Sequence, residues 1–235
     1  MTLERHVIVN ADDLGLSVGV NHGIADAHDY GVVTSASLMV LQPGAEAAAA
    51  WARTRPHLSL GIHLDLCEWE YRDDEWALVY ERVPLDEPAA VAAEVVRQLD
   101  RFREMAGVAP THIDCHQHIH RDEPAATVIA AEARARGVPL RDRSPAHYVG
   151  GFYGQTDRGA PLPHLISAEA LADLLTSLPD GWTEVACHAG YAEDTTTAYS
   201  KERRMEVEAL CSPLVRAAVE RTGIKLRTFR DLPCR

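Results

Sequence analysis

The sequence predicts a single α/β domain folded as a deformed (β/α) barrel of the TIM type, with about seven parallel strands. Two observations indicate this class. Short apolar, β-branched runs alternate with helical stretches along most of the chain, and acidic or histidine residues follow several of these runs. Such alternation produces parallel strands joined by right-handed crossovers. A doubly wound open sheet is the alternative, although no Gly-x-Gly-x-x-Gly motif follows the first strand, which disfavours dinucleotide binding.

The predicted strands are the apolar runs at 6–12, 32–40, 58–65, 111–116, 138–142, 183–188 and 224–229. The predicted helices lie between them, at 17–30, 44–54, 87–106, 123–136, 167–178 and 200–221. Gly107, Gly137 and Gly223 stand where a glycine typically ends a helix, and Ser167 is a suitable N-terminal cap. No repeat or linker interrupts the pattern, so we expect residues 1–235 to form one domain.

Two segments do not fit the alternation. Residues 67–86 are acidic and aromatic, and residues 144–166 are rich in glycine, proline and aromatic side chains. Long irregular connections within a compact domain are often functional. Both segments follow predicted strands, so they are expected at the barrel end where active sites form. We predict that they are substrate loops; the second also suits a homodimer contact.

Composition excludes several partners. The formal net charge of −12 disfavours a nucleic-acid partner, because the phosphate backbone requires a basic surface. No run of 18 apolar residues occurs, so no membrane span is expected. Five cysteines without a Cys-x-x-Cys pair argue against a disulfide framework and favour a reducing compartment. No signal-peptide core precedes the first strand, and the expected location is therefore cytoplasmic.

Residues 114–120, Asp-Cys-His-Gln-His-Ile-His, contain the densest group of possible metal ligands. Imidazole is the commonest protein ligand for metals, and a neighbouring carboxylate suits a divalent cation of the zinc type. In an extended strand alternate residues share one face, so Asp114, His116, His118 and His120 would point the same way. The pattern therefore predicts a site on this strand.

Other polar residues fall at the ends of further predicted strands: Asp12 and Asp13, then His63, then His188. Each alone has an ordinary structural interpretation. An Asp pair suits a turn or helix cap, and either histidine suits a hydrogen-bonded position in the core. Because the carboxyl ends of barrel strands meet at one face, their joint occurrence favours an active site there. Arg203, Arg204 and Glu206 lie in a predicted helix, where a solvated charged face is the default expectation.

An ordered set of motifs resembles the YdjC-like carbohydrate deacetylases. They lie at 10–24 (from Asn-Ala-Asp-Asp-Leu-Gly), 33–40, 61–64 (Gly-Ile-His-Leu), 110–120 and 187–191 (Cys-His-Ala-Gly-Tyr). The resemblance implies a deformed β/α barrel, one divalent metal ion, and removal of an N-acetyl group from an amino sugar, typically a small chito-oligosaccharide. Leu14, Gln117 and Ala189 depart from the usual aromatic, histidine and proline, and these departures bear on substrate preference.

Matched by motif position, the resemblance implies Asp13, His63 and His116 as metal ligands. It further implies Asp12 as the general base and His188 as the general acid, with the reverse assignment of the two aspartates left open. Zinc and magnesium are the expected metals. One short strand cannot supply three ligands to one ion, so His116 is preferred among the clustered histidines.

The expected partner is a small carbohydrate. His118 and His120 are predicted to contact substrate or support the ligands, and Trp69 and Tyr153 offer flat rings that match the C–H face of a sugar. Plain packing is the alternative for these rings. Two other functions remain open: a barrel metallohydrolase acting on another amide or a phosphoester, and a sugar-binding protein without catalysis. The absence of lysine before Lys201 counts against a carbamate-bridged two-metal site.

Overall fold

The structure is a computed structural model that describes residues 4–195 and 198–233. Within these ranges the strands, β1 to β9 in chain order, are Arg5–Leu14, Ser35–Leu38, Ser59–Leu64, Cys67–Arg72, Glu75–Glu81, Ile113–Cys115, His147–Val149, Gly181–Cys187 and Lys225–Leu226. The helices, α1 to α7, are Val18–Asp29, Ala45–Ala52, Pro88–Ala106, Ala125–Arg136, Ala168–Ser177, Ser200–Leu210 and Pro213–Thr222. A six-residue 3-10 segment, His116–Arg121, directly follows β6.

Seven of these strands form one parallel sheet in the order β6-β3-β2-β1-β8-β7, with β9 also paired to β1. The sheet curls into a deformed barrel with helices between the strands, so the predicted fold class is confirmed. All residues of β2 and β3 are buried, as expected for parallel strands covered on both faces. The carboxyl ends of β1, β3, β6 and β8 lie at one end of the barrel.

The helix ends follow the predicted chemistry. Ser167 caps α5 by accepting a hydrogen bond from the Ala170 amide at 3.1 Å. Gly107 ends α3 with a left-handed φ of 74°, which glycine adopts without steric cost. The predicted helix at 200–221 is instead two helices, because Pro213 lacks an amide hydrogen and starts a new helix at α7.

Two further expectations need correction. The predicted strand at 138–142 is reduced to a single bridge between Leu140 and Ile113. Asp142 adopts a left-handed φ of 66°, which interrupts an extended run, and the strand that pairs with β8 on the side away from β1 is β7 at His147–Val149. The segment at 67–86 is more regular than expected, because β4 and β5 form an antiparallel hairpin. We call residues 67–81 the aromatic hairpin.

The cysteines at 67, 115, 187 and 211 form no disulfide, in agreement with the scattered spacing; Cys234 lies outside the described residues. None of the helices within 4–195 and 198–233 is long and apolar enough to cross a membrane.

Candidate metal centre and active site

Two adjacent aspartates at the end of β1, Asp12 and Asp13, have different neighbours. Asp13 adopts a left-handed φ of 65°, and the pairing of β1 with β2 shifts register at this point. Such a conformation is uncommon outside glycine, costs of order 1 kcal/mol and is concentrated at functional sites. Asp12 therefore faces Arg141. Asp13 faces His63 and His116.

Three donor atoms converge at Asp13. Its Oδ1 lies 3.2 Å from His63 Nε2 and 3.3 Å from His116 Nδ1. Asp13 and His63 are each 2% exposed, and no residue within 4–195 and 198–233 forms a hydrogen bond with Asp13 Oδ1. A buried carboxylate oxygen without a hydrogen bond, placed between two imidazole nitrogens, is the arrangement that a divalent cation completes. The residues present therefore fit one ion bound by an Asp/His/His set.

Each of these histidines is held at its other ring nitrogen by a carboxylate. His63 Nδ1 lies 2.7 Å from Asp114 Oδ1, and His116 Nε2 lies 2.7 Å from Glu68 Oε2. Such outer partners fix the tautomer and the ring orientation of metal-binding histidines. Burial lowers the pKa of His116, but the close contacts and negative charges of Asp13 and Glu68 outweigh it and raise the pKa to about 9.

The second oxygen of Asp13 accepts a 2.6 Å hydrogen bond from Arg203 in α6. Burial raises the pKa of Asp13, yet the charge of Arg203 and the two histidines hold it well below its usual value. Arg203 is only 4% exposed. The expectation that Arg203 lies on a solvated helix face is therefore wrong. The low hydropathy of α6 does not indicate that some of its charged residues are buried.

Asp12 belongs to a second cluster, built around the buried guanidinium of Arg141. Arg141 donates to both oxygens of Asp12 at 2.7 Å and also lies 2.9 Å from Asp114 and 2.7 Å from Glu184. Burial raises the pKa of Asp12, but the charge and hydrogen bonds of Arg141 have the larger opposite effect. The pKa is therefore lowered overall, and the carboxylate is ionised near neutral pH. Asp12, His63 and Asp114 have spacing suited to a metal, but Arg141 already supplies the positive charge there.

His188 follows β8 and faces Asp12, with its Nε2 at 3.9 Å from Asp12 Oδ2. Burial lowers the pKa of His188 to about 4, so the imidazole is neutral at pH 7. Its ring lies edge-on to Tyr153 and Tyr199, and its backbone amide donates to Glu206. Glu206 is fully buried, so the expectation of a solvated position is wrong for it as well.

The predicted extended arrangement of residues 114–120 is wrong. Strand β6 ends at Cys115, and Gln117 and His118 adopt left-handed φ values of 49° and 57° in the 3-10 segment that follows. Two successive left-handed residues turn the chain sharply, so alternate side chains no longer share a face. This is why His116 alone of the three histidines reaches the Asp13 cluster.

These clusters open into a pocket of about 400 Å³. The predicted site residues that line it are Asp12, Asp13, His63, Trp69, His116, His118, Tyr153 and His188. His120 is not part of this lining; it is 2% exposed, and its Nε2 lies 3.1 Å from Asp142. His118 lies against Tyr148. No pattern in the sequence distinguishes Tyr148, Glu68 or Arg141 as site residues.

Fold and site together define a barrel protein with a metal-type Asp/His/His cluster at its strand ends. The chain belongs to the YdjC-like family, whose model, described as "YdjC-like protein", matches residues 6–221. The predicted resemblance is thereby confirmed.

Curated relatives match over nearly the whole chain. A chitooligosaccharide deacetylase of Klebsiella pneumoniae (strain 342) is 33% identical, covering 98% of this chain and 100% of the relative. A carbohydrate deacetylase of Geobacillus stearothermophilus is 34% identical, covering 97% and 98% respectively.

Solved structures share the fold. A proposed cellobiose-phosphate cleavage protein of Enterococcus faecalis V583 superposes with a TM-score of 0.78 at 27% identity, covering 97% of this chain and 98% of that chain. A family 4 acetyl xylan esterase of Clostridium thermocellum, solved with a cobalt ion, has a TM-score of 0.53 at 12% identity, covering 97% and 89%. The second likeness shows a common fold only.

Proposed function

We propose that this protein is a metal-dependent carbohydrate deacetylase that removes an N-acetyl group from an amino sugar or a small chito-oligosaccharide. The observation that carries the proposal is the convergence of Asp13 Oδ1, His63 Nε2 and His116 Nδ1 in a pocket that Asp12 and His188 also line. The names of the curated relatives support it. Zinc and magnesium are the proposed metals, and the cobalt ion in the esterase structure is consistent with a divalent ion.

A divalent ion held by Asp13, His63 and His116 would polarise the acetamide carbonyl and make a coordinated water acidic. Asp12 is the proposed general base. Its pairing with Arg141 keeps it ionised and fixes its orientation. The same pairing lowers its pKa, so Asp12 accepts a proton readily only from a water that is already acidified.

His188 is the proposed general acid toward the leaving amine. Because it is neutral at pH 7, it must first receive a proton. Its Nε2 lies 3.9 Å from Asp12 Oδ2, and closure of this gap to hydrogen-bond distance in the substrate complex would let the proton taken from the attacking water pass from Asp12 to His188. From His188 it reaches the sugar nitrogen as the C–N bond breaks. The ring of Tyr153 lies edge-on to this imidazole, with ring centroids 5.3 Å apart.

The pocket walls favour an uncharged sugar. Trp69 and Trp76 of the aromatic hairpin line the pocket together with Tyr153, and flat rings of this kind match sugar faces. The lining carries the carboxylates Asp12, Asp13, Glu68, Glu70 and Asp157 and one arginine, Arg203. An excess of negative charge repels phosphate groups, so this lining disfavours the phosphoester alternative.

The test is acetate release from N-acetylated mono-, di- and trisaccharides, measured with metal, with chelator and with metal restored. Cellobiose phosphate belongs in the panel because of the role proposed for the Enterococcus protein. Chelator-sensitive acetate release supports the proposal. Phosphate or glucose release instead, or sugar binding without turnover of any acetylated compound, would refute it.

The roles of the two longer connections stay predictions. The aromatic hairpin and segment 144–166 both contribute to the pocket lining, as substrate loops would. Homodimerisation through 144–166 is testable by sedimentation, and the cytoplasmic location by fractionation.

A further inference from the structure

We infer that Glu68 is a positioning residue of the metal centre, through which the aromatic hairpin holds a metal ligand in place. The inference rests on the metal site of the proposed function. Glu68 Oε2 lies 2.7 Å from His116 Nε2, and the opposite nitrogen, Nδ1, lies 3.3 Å from Asp13 Oδ1. A carboxylate accepts but cannot donate, so Nε2 carries a hydrogen, and in the neutral imidazole that binds a metal this is the only hydrogen on the ring nitrogens. The lone pair of Nδ1 is then directed toward Asp13 and the cation position.

The backbone explains why this glutamate reaches the histidine. The register of β4 against β5 shifts between the pairs Glu68–Tyr80 and Trp69–Leu78, so Val79 of β5 is the extra residue of a β-bulge opposite Glu68. A bulge increases the local twist of the paired strands, here beside Glu68. Immediately next to the bulge, the side-chain amide of Gln117 bonds both the N–H and the C=O of Trp69, at 2.9 and 2.8 Å. The hairpin is thus fixed to the 3-10 segment at two successive residues.

This arrangement joins two parts of the pocket. Trp69 and Trp76, which line the wall proposed for the sugar, belong to the same hairpin as the carboxylate that orients His116. Glu68 itself is not one of the three converging donors. Its counterpart on His63, Asp114, also bonds Arg141, so a change at Asp114 would disturb two clusters. Glu68 has a side chain that is 28% exposed, and its replacement is the cleaner test.

The experiment is a titration of the metal-free protein with zinc against a chromophoric chelator, for the wild type, Glu68→Ala and Glu68→Gln. Loss of an outer partner of a histidine ligand typically costs 10- to 100-fold in metal affinity, and we expect a loss of about that size for the alanine variant. The glutamine variant keeps an acceptor for the Nε2 hydrogen and should retain more affinity. Glu75→Gln, an exposed position on β5 outside the pocket lining, is the matched control and should bind as the wild type does.

The outcomes separate this inference from the proposed function. If the wild type binds one zinc ion and Glu68→Ala binds it equally well, the positioning role is overturned while the metal site stands. If the wild type itself binds no zinc, the metal site and the inference fall together. Equal losses in both Glu68 variants, with a lower thermal midpoint of the metal-free protein, would make Glu68 a folding residue and also overturn the inference.

Discussion

Two carboxylate clusters begin at adjacent residues of β1, yet the fold treats them differently. Around Asp12, the guanidinium of Arg141 lies within 2.9 Å of three carboxylates. Around Asp13, Arg203 pairs with Oδ2 only, and Oδ1 is left without a hydrogen bond between two imidazoles. The first cluster contains its own permanent cation. The second leaves a position for one from outside.

The positive group that compensates each aspartate determines which role that aspartate is suited to. A buried carboxylate is costly unless a positive charge compensates it. Where the protein supplies that charge, as Arg141 does for Asp12, the carboxylate is oriented and ionised, which suits proton transfer. Where an oxygen stays unpaired, as at Asp13, the carboxylate suits metal binding. Substitutions in the two clusters should therefore have different consequences, and the greatest loss is expected at Asp13.

Asp13→Asn should abolish both metal binding and turnover. The substitution removes the only anionic donor among the three converging atoms, so we expect zinc affinity to fall by more than about 100-fold, beyond the loss typical of an outer partner. Zinc content after dialysis and acetate release measure the two effects. Retention of one tightly bound zinc ion by this variant would contradict the assignment of Asp13 as a ligand.

Asp12→Asn should keep the metal and lose the reaction. Removing a general base typically lowers kcat by about 10²- to 10⁴-fold, and Asp12 lies outside the Asp13 cluster. The variant is compared with the wild type for kcat and for zinc content. Full activity would refute the base assignment, and loss of zinc here with retention in Asp13→Asn would establish the reverse roles.

Arg141→Met should destabilise the fold more than Arg203→Met. Breaking a buried ion pair costs about 3–5 kcal/mol because it leaves an uncompensated charge, and Arg141 compensates three carboxylates whereas Arg203 pairs with Asp13. Urea unfolding gives the free energies. Zinc should restore stability to Arg203→Met, where the ion replaces the lost charge, and should not do so for Arg141→Met. Equal recovery of both variants would remove the proposed distinction between the clusters.

Zinc binding should release protons near neutral pH. The pKa of His116 is raised to about 9, above its ordinary 6.5, so this residue is protonated in the metal-free protein at pH 7. The raised pKa stabilises the metal-free fold fully below about pH 6.5, and this contribution is lost as the pH rises through about 9. Zinc must displace the proton, so its affinity should increase with pH over this range. Calorimetry in two buffers of different ionisation enthalpy measures the release; none at pH 7 would contradict the prediction.

Trp76→Ala should have the smallest effect. If a ring against a sugar face contributes about as much as an aromatic pair does, about 0.5–1.5 kcal/mol beyond area burial, the loss predicts an increase in KM of several-fold with kcat nearly unchanged. Val79→Ala is the matched control, because both side chains are exposed on β5, at 54% and 46%, and only Trp76 lines the pocket. Equal KM values for the two variants would contradict a contribution of Trp76 on the aromatic hairpin to substrate binding.

The barrel class and the end of the barrel where the polar residues lie were predictable from the sequence alone, because continuous apolar runs and helix ends are local signals. The sequence also located each predicted ligand at or beside a strand end. Strand register and turn geometry were harder to predict from the sequence. The residues with left-handed backbone, Asp13, Gln117 and His118, are not glycine, and no local sequence pattern indicates their conformation. Their conformations nonetheless decide which side chains enter the site.

Only the tertiary structure decided which partner each carboxylate receives. Arg141 reaches Asp12 across 129 residues of sequence, and Arg203 reaches Asp13 across 190. Glu68 likewise meets His116 only because a bulged hairpin folds back over the 3-10 segment. Local propensity does not encode contacts at such separations. Charge compensation within the folded core therefore assigned the two aspartates their different surroundings.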